Sequence, residues 1–226
     1  MTAITRAGEN FVIESGAGRW TARAVILATG VALNEIDLPH DLHETAIADG
    51  VLRYCPICDA YEGTDRRLGV IGCDSNGAAE ALFLRQYTPH VILMPLNYSE
   101  LTDDEQAQLD AAGITVTRGA LDRLEPGEAV MTVHLDTGRS VEVDVLYPAL
   151  GMTPRSELGV ALGAETGEGL CMAAGSPLGS NVPGFFAAGD VVEGLTQISV
   201  AVGHGAVAAT RAHNHLRERD RQTLES

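Results

Sequence analysis

The 226-residue sequence predicts the α/β class, in which strands and helices alternate along the chain. The clearest observation is a β-α-β unit. A buried strand (Leu68–Ile71), a turn (Gly72–Gly77) and a helix (Ala78–Gln86) precede another strand (His90–Met94). A second observation is the long, alanine-rich helix expected over Gln197–Leu216, which closes the chain.

The first fifty residues predict two short strands and a linker. Phe11–Ile13 and Trp20–Gly30 contain the apolar residues, and the second stretch includes a continuous apolar run that is typical of a buried strand. A polar segment around Pro39 follows and carries several acidic residues. His40 and His43 lie in this segment, and we expect both to be solvated.

The middle and end of the chain continue the alternation. Thr102 followed by Glu105 is a capping-box signature, which predicts a helix that ends near Gly113. A D-T-G turn between two alternating segments predicts a hairpin. The remaining predicted strands are Ile114–Thr117, Met131–Leu135, Ser140–Leu146 and Phe185–Ala188.

The composition excludes several classes of function. Fifteen basic and 31 acidic side chains give a formal charge of −16. Such a balance argues against a nucleic-acid binder and against attraction to an anionic membrane surface. No apolar run is long enough to cross a bilayer, and Met1–Asn10 lacks the apolar core of a signal peptide, so we expect a cytoplasmic protein.

The strongest local motif is C-P-I-C-D, formed by Cys55, Cys58 and Asp59 with two residues between the cysteines. This spacing lets two sulfurs bond across one helical turn, and a helix N-terminus there would lower the pKa of the first thiol. Asp59 could shuttle a proton to a leaving thiolate. Half of a zinc site, extended by Cys73 and Cys171, is an alternative, as is a wholly structural role.

The turn after the first strand of the β-α-β unit resembles a dinucleotide-binding turn only in part. Gly72 and Gly77 occupy the first and last positions of a G-x-G-x-x-G pattern, but Asp74 replaces the middle glycine. An aspartate there adds a side chain and a negative charge where a pyrophosphate would lie. The next strand ends in Met94–Asn97, which offers neither an acid for a ribose hydroxyl nor an arginine for a 2′-phosphate. NADPH binding is therefore doubtful.

A third motif lies near the C-terminus, where a buried strand delivers Gly189 and Asp190 to its carboxyl end. Asp190 could accept hydrogen bonds from a sugar alcohol, and the helix that follows would point backbone N–H groups at the same place. His204 lies in that helix. An ordinary packed strand and helix would give the same pattern.

Together these features resemble the low-molecular-weight thioredoxin reductase family of FAD-dependent disulfide oxidoreductases. Four motifs occur in the order found in that family: A-T-G at Ala28–Gly30, C-P-I-C-D, the altered glycine turn, and F-A-A-G-D followed by Q-I at Phe186–Ile198. The resemblance covers nearly the whole chain. It implies two Rossmann-like, three-layer domains: residues 50–151 form an NAD(P)-binding-like domain with the cysteines, and residues 1–49 with 152–226 form an incomplete FAD domain.

The resemblance also implies roles for single residues. Cys55 and Cys58 would be the redox pair, with Asp59 as the proton donor. The residues expected to contact FAD are Thr29, Gly30, Gly189, Asp190, Gln197 and Ile198. The partner would be a thioredoxin-like protein or a small disulfide or dithiol, with a homodimer possible, and no metal is expected.

The sequence departs from the family in two places. The family's first strand and glycine loop, which bind the ADP half of FAD, would precede Met1, so we expect this chain alone to hold little flavin. The family's basic H-R-R cluster for NADPH is also missing; relatives with such losses resemble enzymes reduced by another donor, or dithiol oxidases that pass electrons to oxygen. Two rival functions are a flavin-free remnant that binds a partner without catalysis and a zinc-binding module.

Overall fold

The computed structural model describes residues 1–173 and 180–222. They form two compact units. The split unit combines Met1–Leu33 with Met152–Ser226, and the central unit is Asn34–Gly151. The α/β class predicted from the sequence is confirmed, because parallel strands alternate with helices in the central unit.

The N-terminal part of the split unit contains five strands. They are β1 (Ala3–Ala7), β2 (Asn10–Ser15), β3 (Gly18–Ala22), β4 (Val25–Leu27) and β5 (Val31–Leu33). Strands β1, β2 and β3 form an antiparallel sheet, whereas β4 and β5 belong to other sheets. The prediction of one strand over Trp20–Gly30 was therefore wrong. The chain leaves the antiparallel sheet after Ala22, and an apolar run alone does not reveal a change of pairing partner.

The central unit contains three layers. Its elements are α1 (His40–Ala48), α2 (Pro56–Asp59), β6 (Leu68–Ile71), α3 (Ser75–Leu84), β7 (Val91–Met94), α4 (Asp103–Ala111), β8 (Thr115–Val116), β9 (Leu121–Pro126), β10 (Met131–Leu135), β11 (Ser140–Val143) and β12 (Val145–Pro148). A parallel sheet has the order β12-β6-β7-β8, and β11-β10-β9 form a separate antiparallel sheet. The predicted capping box at Thr102 and Glu105 is present at the start of α4.

Two apolar clusters cover the two faces of the parallel sheet. On one face, Leu84 of α3 and Leu109 of α4 pack with Val70 and Tyr147. On the other face, Val133 of the antiparallel sheet belongs to a cluster with strand and α1 residues. Burial on both faces explains why the strands of this sheet are nearly continuous apolar runs.

Two further predictions in this unit were wrong. The strand expected over Ser140–Leu146 is divided at Asp144, whose carboxylate accepts a hydrogen bond from the Arg67 backbone N–H at 2.8 Å, so that β11 and β12 lie in different sheets. The polar linker with His40 and His43 is the helix α1, and His43 is only 4% exposed rather than solvated. His43 is buried because α1 packs it against Tyr54, and the polar composition of the segment does not show this contact.

The C-terminal part of the split unit contains β13 (Met152–Pro154), α5 (Glu157–Ala161), β14 (Phe185–Ala187) and α6 (Ile198–Arg219). Strand β14 lies parallel to β4, and β13 pairs with β5. None of the helices among the described residues combines the length and apolar character needed to span a membrane.

Candidate functional site

Cys55 and Cys58 form a disulfide at the start of the short helix α2, with their Cα atoms 5.2 Å apart. Cys55 precedes the helix, and Pro56 occupies its first turn, where the missing N–H costs no hydrogen bond. Cys55 is half-buried, whereas Cys58 is exposed. Two cysteines at this spacing are therefore already within bonding distance.

The carboxylate of Asp59, next to Cys58, is held by two side chains from elsewhere in the central unit. The Tyr147 hydroxyl on β12 donates a hydrogen bond of 2.8 Å to Asp59 Oδ1. Arg53 Nη1 lies 3.5 Å from Asp59 Oδ2 and 2.7 Å from a Glu62 carboxylate oxygen. Asp59 is thus fixed beside the disulfide by one neutral donor and one cation.

The electrostatics keep both of these partners as donors. Burial first, and then the hydrogen bond and charge of Asp59, raise the pKa of Tyr147 far above its ordinary value, so the hydroxyl stays protonated. Burial lowers the pKa of Arg53, but the hydrogen bond to Glu62 and the charge of Asp59 outweigh it, and the net pKa is raised. Asp59 therefore sits where it receives hydrogen bonds and can accept a proton from an arriving thiol.

A second network anchors the residue before Cys55. The Tyr54 hydroxyl accepts a hydrogen bond from the Ile36 N–H at 3.1 Å and lies 2.8 Å from His43 Nε2. His43 Nδ1 lies 3.5 Å from a Glu44 carboxylate oxygen. This network ties the cysteine loop to α1, and the structural role of His43 could not be read from its polar neighbourhood.

The predicted nucleotide turn is present between β6 and α3, and its two glycines are required by geometry. Gly72 has φ +129°, which only glycine adopts readily. A Cβ at Gly77 would overlap the Gly72 carbonyl oxygen. These are the first and last glycines of the fingerprint, and they bring the strand and helix into close contact.

At the third position of the turn, the side chain of Asp74 occupies the place where a pyrophosphate would bind. Asp74 is the N-cap of α3, and its Oδ1 accepts a hydrogen bond of 2.9 Å from the Gly77 N–H. A helix N-terminus binds a pyrophosphate through such N–H groups, so Asp74 takes the place of that anion. Ser75, at the start of α3, donates a hydrogen bond to Glu105, so a second carboxylate lies near the same helix end. This hydrogen bond first, and then those from Thr102, lower the pKa of Glu105.

A crevice of about 400 Å³ lies at the carboxyl ends of β6, β7 and β12. Its wall includes Asp74, Asn97, Tyr98 and Glu100, and among the described residues that line it there is no lysine or arginine. The crevice therefore lacks the cations that neutralise nucleotide phosphates. The residues present do not fit NADPH.

In the split unit, the structure brings together two pairs of the residues predicted to contact FAD. Strands β4 and β14 are parallel neighbours, with Leu27 opposite Ala187, so Thr29 and Gly30 follow one strand where Gly189 and Asp190 follow the other. Gly189 has φ +77°. The carboxyl ends of adjacent parallel strands are where nucleotide cofactors bind in open α/β sheets.

Helix α6 packs on the turn that contains Asp190. Gln197 is its N-cap, and Ile198, the first helical residue, is 86% exposed. Among the described residues, His204 Nδ1 on this helix is one of two buried side-chain polar atoms without a hydrogen-bond partner. Exposed apolar surface fits the ring of a flavin, and hydroxyl and N–H donors with a carboxylate acceptor fit its ribityl part.

Comparison with known proteins decides the family. Residues 1–205 match the pyridine nucleotide-disulphide oxidoreductase family. The chain belongs to that family. This match and thioredoxin reductase relatives support the predicted enzyme class, a thioredoxin reductase-like oxidoreductase.

Several relatives cover most of the chain. A thioredoxin reductase of Listeria innocua is 26% identical over 222 residues, which are 93% of this chain and 68% of that protein. One component of the alkyl hydroperoxide reductase of Pseudomonas aeruginosa is 31% identical over 216 residues, 90% of this chain and 40% of that protein. The chain thus spans about two-thirds of the first relative and well under half of the second.

Solved structures share the fold. The crystal structure of HlmI has a TM-score of 0.85 at 30% identity and covers 96% of this chain, which in turn covers 69% of HlmI. The thioredoxin reductase of Streptococcus pyogenes has a TM-score of 0.84 at 22% identity, with 96% of this chain and 72% of that one covered. The predicted Rossmann-type fold of this family is therefore confirmed.

Cys73 and Cys171 are free cysteines outside the Cys55–Cys58 disulfide, and the pKa of each thiol is raised. Cys73 is buried, and burial followed by the charge of Asp74 raises its pKa to about 12. Burial and then the charge of Glu193 also raise the pKa of Cys171. No group of three potential metal ligands occurs within the residues that the structure describes, and the sulfurs of Cys55 and Cys58 bond to each other.

Glu80 on α3 makes the stability of this family member depend on pH. Burial first and then the charge of Asp74 raise its pKa from 4.5 to about 7. Since folding favours the protonated carboxyl, the free energy of unfolding falls as the pH rises through this interval. Replacing Glu80 with Gln is expected to stabilise the protein by roughly 1–2 kcal/mol at pH 8, a figure discounted for partial solvent exposure, and by less at pH 5.

Urea unfolding followed by circular dichroism at the two pH values would measure this gain. Glu128→Gln, at an exposed position of the same unit, is the control and should change neither value. An equal gain for Glu80→Gln at both pH values would contradict the assignment.

Proposed function

We propose that the protein is a flavin-dependent thiol–disulfide oxidoreductase in which Cys55 and Cys58 exchange electrons with a substrate disulfide or dithiol. The observation that carries the proposal is the disulfide itself, at the start of α2 and next to a carboxylate held by Tyr147 and Arg53. Thiol–disulfide exchange needs an accessible sulfur and a group that moves protons, and both are present.

The proposed cofactor is FAD. Thr29, Gly30, Gly189 and Asp190 would hold the ribityl part, and the start of α6 at Gln197 and Ile198 would contact the ring. When bound, FAD supplies a two-electron centre to which the cysteine pair can pass its electrons. The chain's own contribution is to bind and orient the flavin and to hold the disulfide and its proton acceptor.

NADPH is not part of the proposal, because the crevice at β6 and β7 is acidic and its helix end is capped by Asp74. Electrons would then come from the dithiol substrate or from another donor. The substrate is a thioredoxin-like protein or a small disulfide or dithiol, and a homodimer stays a prediction.

A count of free thiols tests the proposal. Under reducing and oxidising conditions the counts should differ by two, because one disulfide opens and closes. The difference should vanish in Cys58→Ser, whereas Cys171→Ser, which removes a thiol outside the pair, should keep it. An unchanged thiol count in the native protein would contradict the proposed redox function.

Visible absorbance separates this proposal from a flavin-free protein that only binds a partner. Protein titrated with excess FAD should give difference absorption bands of weakly bound flavin, in line with the expectation that this chain alone holds little of it. Asp190→Ala should weaken these bands while leaving the thiol counts unchanged, because the two sets of residues lie in different units.

A further inference from the structure

A second cavity in the central unit opens beside the redox pair and has a volume of about 360 Å³. Its wall includes Cys55 and Asp59 but not Cys58. A volume of this size suits a small organic molecule, whereas a protein surface would contact the pair over a broad area. The sulfur that a ligand in the cavity can reach is therefore that of Cys55.

One side of this cavity is apolar. Ile47 and Ala48, in the last turn of α1, are exposed, and Leu52 is fully buried. Ile47 keeps 41% of its surface exposed, so a ligand that covers it gains by removing that surface from water. The side with Tyr54 carries the hydrogen bonds that fix the loop to α1.

The charges at the cavity do not favour an anion. Arg53 is its single cation among the described lining residues, and that guanidinium is already paired with Asp59 and Glu62. Two carboxylates against one guanidinium leave this region negative, and the whole chain carries a formal charge of −16. A ligand carboxylate would meet repulsion here that salt reduces.

We propose that this cavity is the substrate site and that its ligand is a small, uncharged dithiol or disulfide with an apolar body. This inference rests on the proposed function of the cysteine pair and chooses between its two classes of partner. The apolar body would lie against Ile47 and Ala48, and the reacting sulfur would meet Cys55.

The exchange balances without any other reactant. Asp59 accepts the proton of a substrate thiol, the resulting thiolate attacks Cys55 Sγ, and the Cys55–Cys58 bond breaks as a bond from the substrate sulfur to Cys55 forms. Cys58 leaves as a thiolate and takes the proton from Asp59. The second substrate thiol then attacks the substrate sulfur of this mixed disulfide, which closes the substrate disulfide and leaves Cys55 reduced with the second proton. The reverse sequence reduces a disulfide.

Two dithiols that differ only in charge test the proposal. Dihydrolipoamide is neutral and dihydrolipoate is anionic, while both carry the same apolar chain. The oxidised protein is mixed with each, quenched with N-ethylmaleimide, and the fraction of opened disulfide is read by mass spectrometry. The rate should saturate with dihydrolipoamide, should be several-fold lower with dihydrolipoate, and should differ less in high salt.

Ile47→Ala and Leu42→Ala form a matched pair of variants. Both positions are exposed on α1, at 41% and 47%, but only Ile47 lines the cavity. Ile47→Ala should raise the half-saturating concentration of dihydrolipoamide about five- to tenfold. Leu42→Ala should leave it unchanged, and it should also leave the rate with dithiothreitol unchanged.

Three results would overturn the inference. They are a rate that stays linear in dihydrolipoamide, an equal effect of the two variants, and faster opening by reduced thioredoxin than by saturating dihydrolipoamide. These outcomes would leave the redox function standing, since the disulfide still opens. A disulfide that no dithiol opens would instead refute the proposed function itself.

Discussion

Replacing Asp59 with Asn is expected to slow opening of the Cys55–Cys58 disulfide by a small dithiol about 10²- to 10⁴-fold near neutral pH. The amide keeps the shape of the side chain and can still accept the hydrogen bond from Tyr147, but it cannot take up the proton of the attacking thiol. The rate constant is measured by quenching with N-ethylmaleimide, as for the native protein.

Two further variants show whether the effect belongs to the held carboxylate. Tyr147→Phe removes the 2.8 Å hydrogen bond and should slow the reaction about tenfold, the value of one lost hydrogen bond to a charged group. Asp65→Asn changes an exposed carboxylate at a left-handed position that asparagine tolerates, and it should have no effect. If Asp65→Asn slowed the reaction as much as Asp59→Asn, general loss of charge would explain the result and proton transfer would not.

Replacing Asp74 with Gly is expected to strengthen NADPH binding by about one to two decades, from a weak or undetectable starting value. The variant frees the Gly77 N–H and removes a negative charge at the N-terminus of α3, where the pyrophosphate would lie. Glycine is an acceptable N-cap, so the helix itself should lose only a few tenths of a kcal/mol. Isothermal titration calorimetry measures the change.

Asp74→Asn separates the charge from the occupied N–H. Asparagine removes the charge but still caps the helix, so its gain should be smaller than that of glycine. Adding Asn97→Arg to Asp74→Gly should raise affinity for NADPH more than for NADH, because the new guanidinium follows β7, where a 2′-phosphate would be recognised. Micromolar binding of NADPH by the native protein would show that the crevice accepts the nucleotide despite Asp74.

The sequence predicted correctly those structures in which the interacting residues are close together in the chain. The capping box at Thr102 and Glu105 closes within one turn, and a one-residue error at the start of β7 is within the usual uncertainty of element ends. The disulfide between Cys55 and Cys58 is also local, because two intervening residues in a helical turn bring the sulfurs together.

Sheet membership was less predictable. Residues Trp20–Gly30 and Ser140–Leu146 each read as one strand, yet each is divided between two sheets. An apolar or alternating run indicates which residues are buried, but it does not indicate which neighbouring strand forms the hydrogen bonds. The change of partner at Asp144 depends on Arg67, which is 77 residues away.

The sequence by itself determined the α/β class, the cysteine pair, and the glycine turn with an aspartate at its phosphate position. These features depend on spacing and on residue type, which are visible along the chain. Only the tertiary structure decided that Tyr147, 88 residues from Asp59, holds that carboxylate, and that Arg53 pairs with it and with Glu62. The buried Tyr147 hydroxyl needs an acceptor, and the tertiary fold supplies one from a residue whose separation in sequence gives no signal.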